Sequence, residues 1–232
     1  MNVLAIDTSN ETLGVAISKD KKIIAESITT VKKNHSVRAM PTIVQLLADC
    51  DIHPKQLDRI VVAKGPGSYT GVRIGMTIAK TMAWSLKIPI VAVSSLQVMA
   101  MNGHFFKGKL SPLLDARRGN VYTGLYSFND RLYVEKEDQN VSLSKWLHEL
   151  KEEQEERILF IGKDTVQFED EIRSILGNKA FFTNEVLHNA RPSSLLKVSE
   201  LQEPGEVHSL TPNYIRLAEA EAKWLAENKM KS

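Results

Sequence analysis

The chain has 232 residues, long for one domain and comfortable for two, and its 43% apolar and 25% charged residues exclude a disordered, collagen-like or coiled-coil chain as a global description. The longest apolar run, Ile88 to Val93 counting Pro89, is far short of the ~20 residues that span a bilayer. Net charge is +2, and the split between residues 1–102 (12 basic and 7 acidic, so +5) and the remainder (18 and 21, so −3) is too mild to mark a nucleic-acid-binding domain.

Met1-Asn2 leads straight into Val3-Leu4-Ala5-Ile6-Asp7, a core strand and not a basic stretch followed by an apolar signal segment, so a cytoplasmic location is expected. Leu13 to Ser18 alternates, Lys19-Asp20-Lys21 is a polar turn, and Ile23 to Thr29 completes a hairpin. Ser36 can cap a helix in which Val37, Met40, Val44 and Leu47 recur at spacings of three and four, with Pro41 forcing a kink or a start. Ile60 to Ala63 is a short buried strand, Gly65 to Gly71 a tight loop, Val72 to Leu86 a second helix and Ile88 to Val93 a further strand.

The same order then repeats. Leu110 to Asp115 is a strand, and Val121 to Phe128 and Leu132 to Glu137 flank a turn at Asn129-Asp130. Leu143, Trp146, Leu147 and Leu150 mark an amphipathic helix; Ile158 to Ile161, Phe168 to Leu176 and Lys179 to Phe182 read as strand, helix and strand. Helices are expected near Ser193 to Leu201 and, after Pro212, over 213–227. Repetition of one α/β order predicts an internal duplication, with Asp7 and Asp115 each ending the first strand of its half. The expected domains are 1–102 and 103–232, the last helix staying with the second or packing back on the first.

Asp7-Thr8-Ser9 offers a carboxylate and two hydroxyls that could hold a hydrated metal and a phosphate; the commoner role for such an Asp is to cap its own turn. In Gly65-Pro66-Gly67-Ser68-Tyr69-Thr70-Gly71-Val72-Arg73-Ile74-Gly75 the glycines allow close approach, Ser68 or Thr70 can cap the helix that follows, and the free N–H groups there suit an anion. Arg73 stands against the helix dipole, which points to a carboxylate or phosphate partner. The spacing matches neither the Walker nor the Rossmann loop. Asp115-Ala116-Arg117-Arg118-Gly119-Asn120 could be a second phosphate clamp, or its arginines could pair with Asp115. The six histidines form no HxxxH, Cys50 is the only cysteine, and there is no GxSxG elbow, so no metal site, disulfide or serine hydrolase is supported. Ser94-Ser95 is a helix cap first. Residues 120–232 lack the glycine-rich turn an adenosine clamp needs, and no cofactor is expected.

Gly71, Gly75, Ala79 and Ala83 form one stripe of small residues along the second helix. Most of its remaining surface is apolar, so it is buried on more than one side, against its own sheet and against either a neighbouring helix or another chain.

Taken in order along the whole chain, Ile6-Asp7-Thr8-Ser9, the Gly65–Gly75 block, Val93-Ser94-Ser95-Leu96, Asp115 to Tyr122 and Pro212-Asn213-Tyr214-Ile215-Arg216 resemble the sequence blocks of the bacterial TsaB (YeaZ) family. The resemblance implies an actin/Hsp70/sugar-kinase-like (ASKHA, ribonuclease H-like) fold in two tandem domains. It also implies a non-catalytic subunit in making threonylcarbamoyladenosine on tRNA, at the adenosine beside the anticodon. The implied partners are TsaD, a catalytic paralogue that binds metal through HxxxH and transfers the threonylcarbamoyl group, and a small ATPase, TsaE; tRNA is met through the complex. TsaD is met through the N-terminal domain, whose same face can make a homodimer. This sequence departs from the paralogue at His35, which has no partner histidine. On this reading the interface comprises His35, Met40, Ile43 and Val44 of the first helix and Gly71, Gly75, Met76, Ala79, Met82 and Ala83 of the second. Asp7, Thr8, Ser9, Gly65, Gly67, Ser68, Thr70, Arg73, Asp115 and Arg117 are then vestigial phosphate-type loops. The rival readings are an active ATP-dependent kinase or ATPase using Asp7, and a peptidase, for which metal ligands are missing.

Overall fold

A computed structural model describes residues 1–31, 34–153 and 155–215. In the first half, β1 (Asn2–Asp7) pairs antiparallel with β2 (Leu13–Lys19) and β2 with β3 (Lys22–Thr29); β1 also pairs parallel with β4 (Arg59–Ala63), and β4 with β5 (Ile90–Val93). In the second half, β6 (Lys109–Asp115) pairs antiparallel with β7 (Asn120–Phe128) and β7 with β8 (Leu132–Ser142); β6 pairs parallel with β9 (Ile158–Ile161), and β9 with β10 (Ala180–Phe182). The sheet orders are β3-β2-β1-β4-β5 and β8-β7-β6-β9-β10, one permutation used twice. Helices α1 (His35–Asp49), α2 (Tyr69–Leu86) and α3 (Ser95–Ala100) of the first half have counterparts in α4 (Leu143–Glu153), α5 (Thr165–Leu176) and α6 (Pro192–Ser199). The repeated element order therefore reflects a repeated topology.

Strand alternation sorts the side chains into three cores. Leu4, Ile6, Val15 and Val62 of the first sheet pack on Ala39 and Ile43 of α1 and Met76 and Ala79 of α2. Leu113, Val121 and Phe160 of the second sheet pack on Trp146, Leu150 and Ile172 of α4 and α5. The opposite faces of both sheets share one core: Val3, Ala5, Val61 and Val91 with Leu110, Tyr126, Leu159 and Ile161, around Leu96 and Met99 of α3 and Leu195 and Leu196 of α6. Burial on both faces is why β1 and β4 are continuous apolar runs.

Helix α6 is tied to the first sheet as well. Glu26 of β3 accepts hydrogen bonds from Ser193 N (2.9 Å), Ser193 Oγ (2.6 Å) and Arg191. Burial opposes ionisation of Glu26, but these bonds outweigh it and hold the carboxyl below its ordinary range.

Several sequence expectations are corrected. Asn34, not Ser36, caps α1, its side chain accepting from Ser36 N, and the helix runs through Pro41. α1 buries Ala39, Ile43, Leu46 and Leu47, leaving Val37, Met40 and Val44 exposed. β8 continues past Glu137 to Ser142, and α5 begins at Thr165. Residues 213–215 are not helical, and the rest of the helix expected over 213–227 lies outside the described residues. Among the described residues no helix is long and apolar enough to cross a membrane.

Candidate functional site

β1 delivers Asp7, Thr8 and Ser9 to its C-terminal end, where all three are buried. Asp7 Oδ1 accepts from Ser9 N (2.8 Å) and Ser9 Oγ (2.7 Å), so Asp7 does cap its own turn. Burial pushes its pKa above the ordinary carboxylate value, against the opposing pull of the Ser9 bonds and the nearby His35. His35 Nε2 lies 2.9 Å from the Asn10 carbonyl oxygen, and its buried Nδ1 has no hydrogen-bond partner among the described residues.

The glycine-rich loop closes over this turn. Ser68 N donates to the Ser9 carbonyl (2.7 Å), and Thr8 Oγ1 donates to the Gly71 carbonyl (2.7 Å). A Cβ on Gly67 would lie 2.2 Å from the Ser9 oxygen, one on Gly71 2.2 Å from the Thr8 oxygen, and one on Gly75 2.5 Å from Thr8 Oγ1. These glycines do allow close approach, and what approaches is the chain's own β1–β2 turn. Ser68 caps α2, accepting from Gly71 N at 3.2 Å. Gly65 takes φ +90°, a conformation glycine reaches without strain. Thr70 is exposed. Among the described residues Arg73 meets two rings: the guanidinium stacks 3.9 Å from the Tyr69 centroid, and Nε donates to Tyr214 Oη at 2.6 Å.

The second half does not reproduce this closure. Asp115 is exposed and accepts from Arg117 N (2.7 Å), while its own N–H donates to Asp164 (2.8 Å). Arg117, Arg118 and Gly119 follow at φ 65°, 57° and 73°, so the turn is built from three left-handed residues. Between the two turns Lys163 meets Glu11 at 2.7 Å. The cavity beside that pair measures about 110 Å³ and is lined by Asp7, Asn10, Lys163, Asp164 and His188 among others. Pockets for drug-sized ligands run to ~300–1,000 Å³. Sequence reasoning missed Glu11, Lys163, Asp164 and His188; the available signal was Gly162-Lys163-Asp164, which joins β9 to α5 as residues 64–68 join β4 to α2.

The expected interface residues divide. Ile43, Gly71, Gly75, Met76, Ala79 and Ala83 are buried within the chain, so these residues do not face outward. His35 and Met82 are half-buried. Met40 and Val44 are exposed, and with Val37 at 69% exposure they form an outward stripe on α1 at spacings of three and four. On α2 the outward residues include Tyr69 and Trp84, the latter 64% exposed. A groove of about 390 Å³ at the start of the two helices is lined by Ser36, Tyr69, Arg73, Ile74, Thr77 and Ile78 among others.

The family model described as TsaD, tRNA N6-adenosine threonylcarbamoyltransferase, matches residues 22–224. The chain is also 55% identical over 230 residues to the tRNA threonylcarbamoyladenosine biosynthesis protein TsaB of Bacillus subtilis (strain 168), covering 99% of this chain and 100% of that protein. The chain belongs to the TsaB family. Among solved structures, YeaZ from Pseudomonas aeruginosa superposes with a TM-score of 0.74 at 21% identity, over 92% of this chain and 99% of that one. A ROK hexokinase from Thermus thermophilus superposes at 0.51 and 8% identity, over 87% and 99%. The TsaB-family chain thus has the actin/Hsp70/sugar-kinase-like fold, built from two mixed five-stranded sheets.

Proposed function

We propose that this TsaB-family chain is a non-catalytic subunit of the cytoplasmic machinery that makes threonylcarbamoyladenosine on tRNA. It binds and supports TsaD, the threonylcarbamoyl-transferring paralogue, through the outer side of α1 and α2 in its first domain (residues 1–102), and TsaE and tRNA are met in the full complex. In isolation the same side can hold a second copy of the chain. The observation that carries the docking role is the stripe of Val37, Met40 and Val44, which α1 turns away from its own core. The loops that would handle a phosphate are closed on themselves, Thr8 and Ser9 filling the space at the start of α2. An active kinase or ATPase fits less well, because Asp7 is spent on Ser9 and the adjoining cavity is about 110 Å³.

The test is calorimetric titration of TsaD from the same organism into Met40→Glu and Val44→Glu variants, followed by reconstitution with TsaE, tRNA, threonine, bicarbonate and ATP and nucleoside analysis. Both positions are exposed, so the variants keep their fold to within about 0.5 kcal/mol. TsaD binding is expected to weaken at least about tenfold and the modified nucleoside to fall with it. Unchanged affinity in both variants removes this side from the interface.

A further inference from the structure

At the far end of the first sheet from Asp7, β1 begins, β2 ends, β4 begins, and the C-terminal end of α6 lies beside them. A cavity of about 260 Å³ opens there, lined among others by Val3, Ser18, Lys21, Arg59, Lys197 and one carboxylate, that of Glu200. Ser18 sits where the β2–β3 register shifts and is 5% exposed, and its hydroxyl has no hydrogen bond among the described residues. Arg59 has a buried Nε without a partner, and its guanidinium makes no ion pair among the described residues. Lys21, held at φ 65° in the β2–β3 turn, likewise has no acidic partner among them.

The other charges at this end are engaged. The Met1 ammonium meets Asp20 and Asp58, and Lys197 meets Glu200 at 3.3 Å. The carbonyls of Val198 and Ser199 at the end of α6 accept from Leu201 N and Gln202 N, both at 3.2 Å, and among the described residues no hydrogen bond joins the Arg59 side chain to them. A guanidinium nitrogen taken from water without a partner is costly, and a fork of N–H donors beside a second cation and a hydroxyl suits a tetrahedral oxyanion.

We propose that this cavity binds a phosphate group, inorganic phosphate or the phosphate of an ester, held by the Arg59 guanidinium and the Lys21 ammonium with the Ser18 hydroxyl donating. Its size, below the ~300 Å³ at which pockets for drug-sized ligands begin, fits an anionic head group and not a whole nucleotide. The site lies apart from α1 and α2 and does not depend on the docking role proposed for them.

The test is a titration of inorganic phosphate into the isotope-labelled chain at constant ionic strength, followed by amide NMR. The Ser18, Lys21 and Arg59 resonances are expected to move on one saturating curve. Arg59→Gln is expected to weaken it at least about tenfold and the exposed Lys21→Gln about threefold, with the fold of the second variant unchanged. Shifts that never saturate, or saturate equally in both variants, overturn the site. Adding tRNA identifies the source: displacement of phosphate assigns the site to an RNA backbone phosphate, and no displacement assigns it to a free phosphate or small ester.

Discussion

The turn after β1 and the turn after β6 hold the same place in a repeated topology, yet the first is buried and the second is open. Asp7 ends its strand beneath a glycine-bearing loop, five residues (64–68) between β4 and α2, whose backbone reaches over Thr8 and Ser9. Asp115 ends its strand beside three residues, Gly162 to Asp164, which supply one carboxylate to the Asp115 N–H and leave Arg117, Arg118 and Gly119 exposed. Loop length and glycine placement make the difference, since the strands and their pairing are the same. A fold suited to holding phosphate at such turns can lose the space for it without losing any strand, because its own backbone carbonyls and hydroxyls satisfy the N–H groups that an anion would otherwise take.

The strongest way to break this contrast is to place one methyl against the first turn, from α2, and one in the second. Gly71→Ala puts a Cβ 2.2 Å from the Thr8 carbonyl oxygen, a backbone atom of the buried turn that follows β1, whereas a Cβ on Gly119 meets nothing within 4 Å. Alanine gains roughly 1 kcal/mol over glycine in a helix, but overpacking against fixed backbone outweighs that, and a net loss of about 2–4 kcal/mol is expected for Gly71→Ala. Gly119→Ala carries only the strain of φ +73°, about 1 kcal/mol. Urea unfolding of both variants measures the gap. Equal losses would mean that the first turn can retreat from α2 and is not closed.

A smaller effect separates the two aspartates. Burial raises the Asp7 pKa, so between the unfolded carboxyl value near 4 and the raised folded value the native state binds the extra proton. Stability is therefore favoured below that window and lost as the pH rises through it. Asp7→Asn keeps an acceptor for Ser9 and removes the buried charge, so it is expected to raise the unfolding midpoint at pH 7 and to flatten the pH profile above pH 4. Asp115→Asn, at an exposed turn, is expected to leave the unfolding midpoint at pH 7 nearly unchanged. Thermal melts of both variants from pH 4 to pH 8 read this directly, and a parallel response of the two would show that Asp7 is better hydrated than its burial implies.

What the residues reveal in advance follows the same division. Strands buried on both faces announce themselves as apolar runs, and the repeated order of elements is visible without any identity between the halves. The side that a helix presents is harder to read when two stripes are apolar. In α1 the spacing Val37, Met40, Val44 is as regular as Ala39, Ile43, Leu46, and only the sheet beneath decides that the second is core. The small stripe of α2 announces a close approach, but the sequence does not say whether the approaching surface belongs to this chain; Thr8 supplies the answer. Arg73 misleads for a related reason: Tyr69, on which it stacks, is one helical turn away, but Tyr214, which accepts from its Nε, is 141 residues away and nothing local marks it. α3 shows no periodicity because it is covered almost all round.

The smallest effect concerns the one ion pair described between the two turns, Lys163 with Glu11. Both side chains are mostly exposed, 64% and 66%, so the pair is screened by water and salt and pays side-chain entropy to stay ordered. The two sheets are instead joined by the shared core around α3 and α6, where Leu96 and Leu195 are fully buried, and by Glu26 capping the start of α6. Lys163→Met is therefore expected to leave the unfolding midpoint unresolved from the parent at 0.15 M salt, with any difference seen at low salt vanishing as salt is added. A large, salt-independent loss would place the pair in a drier environment than its exposure implies. The two turns would then be coupled across the cleft, and the open turn after β6 would owe its position to the closed one.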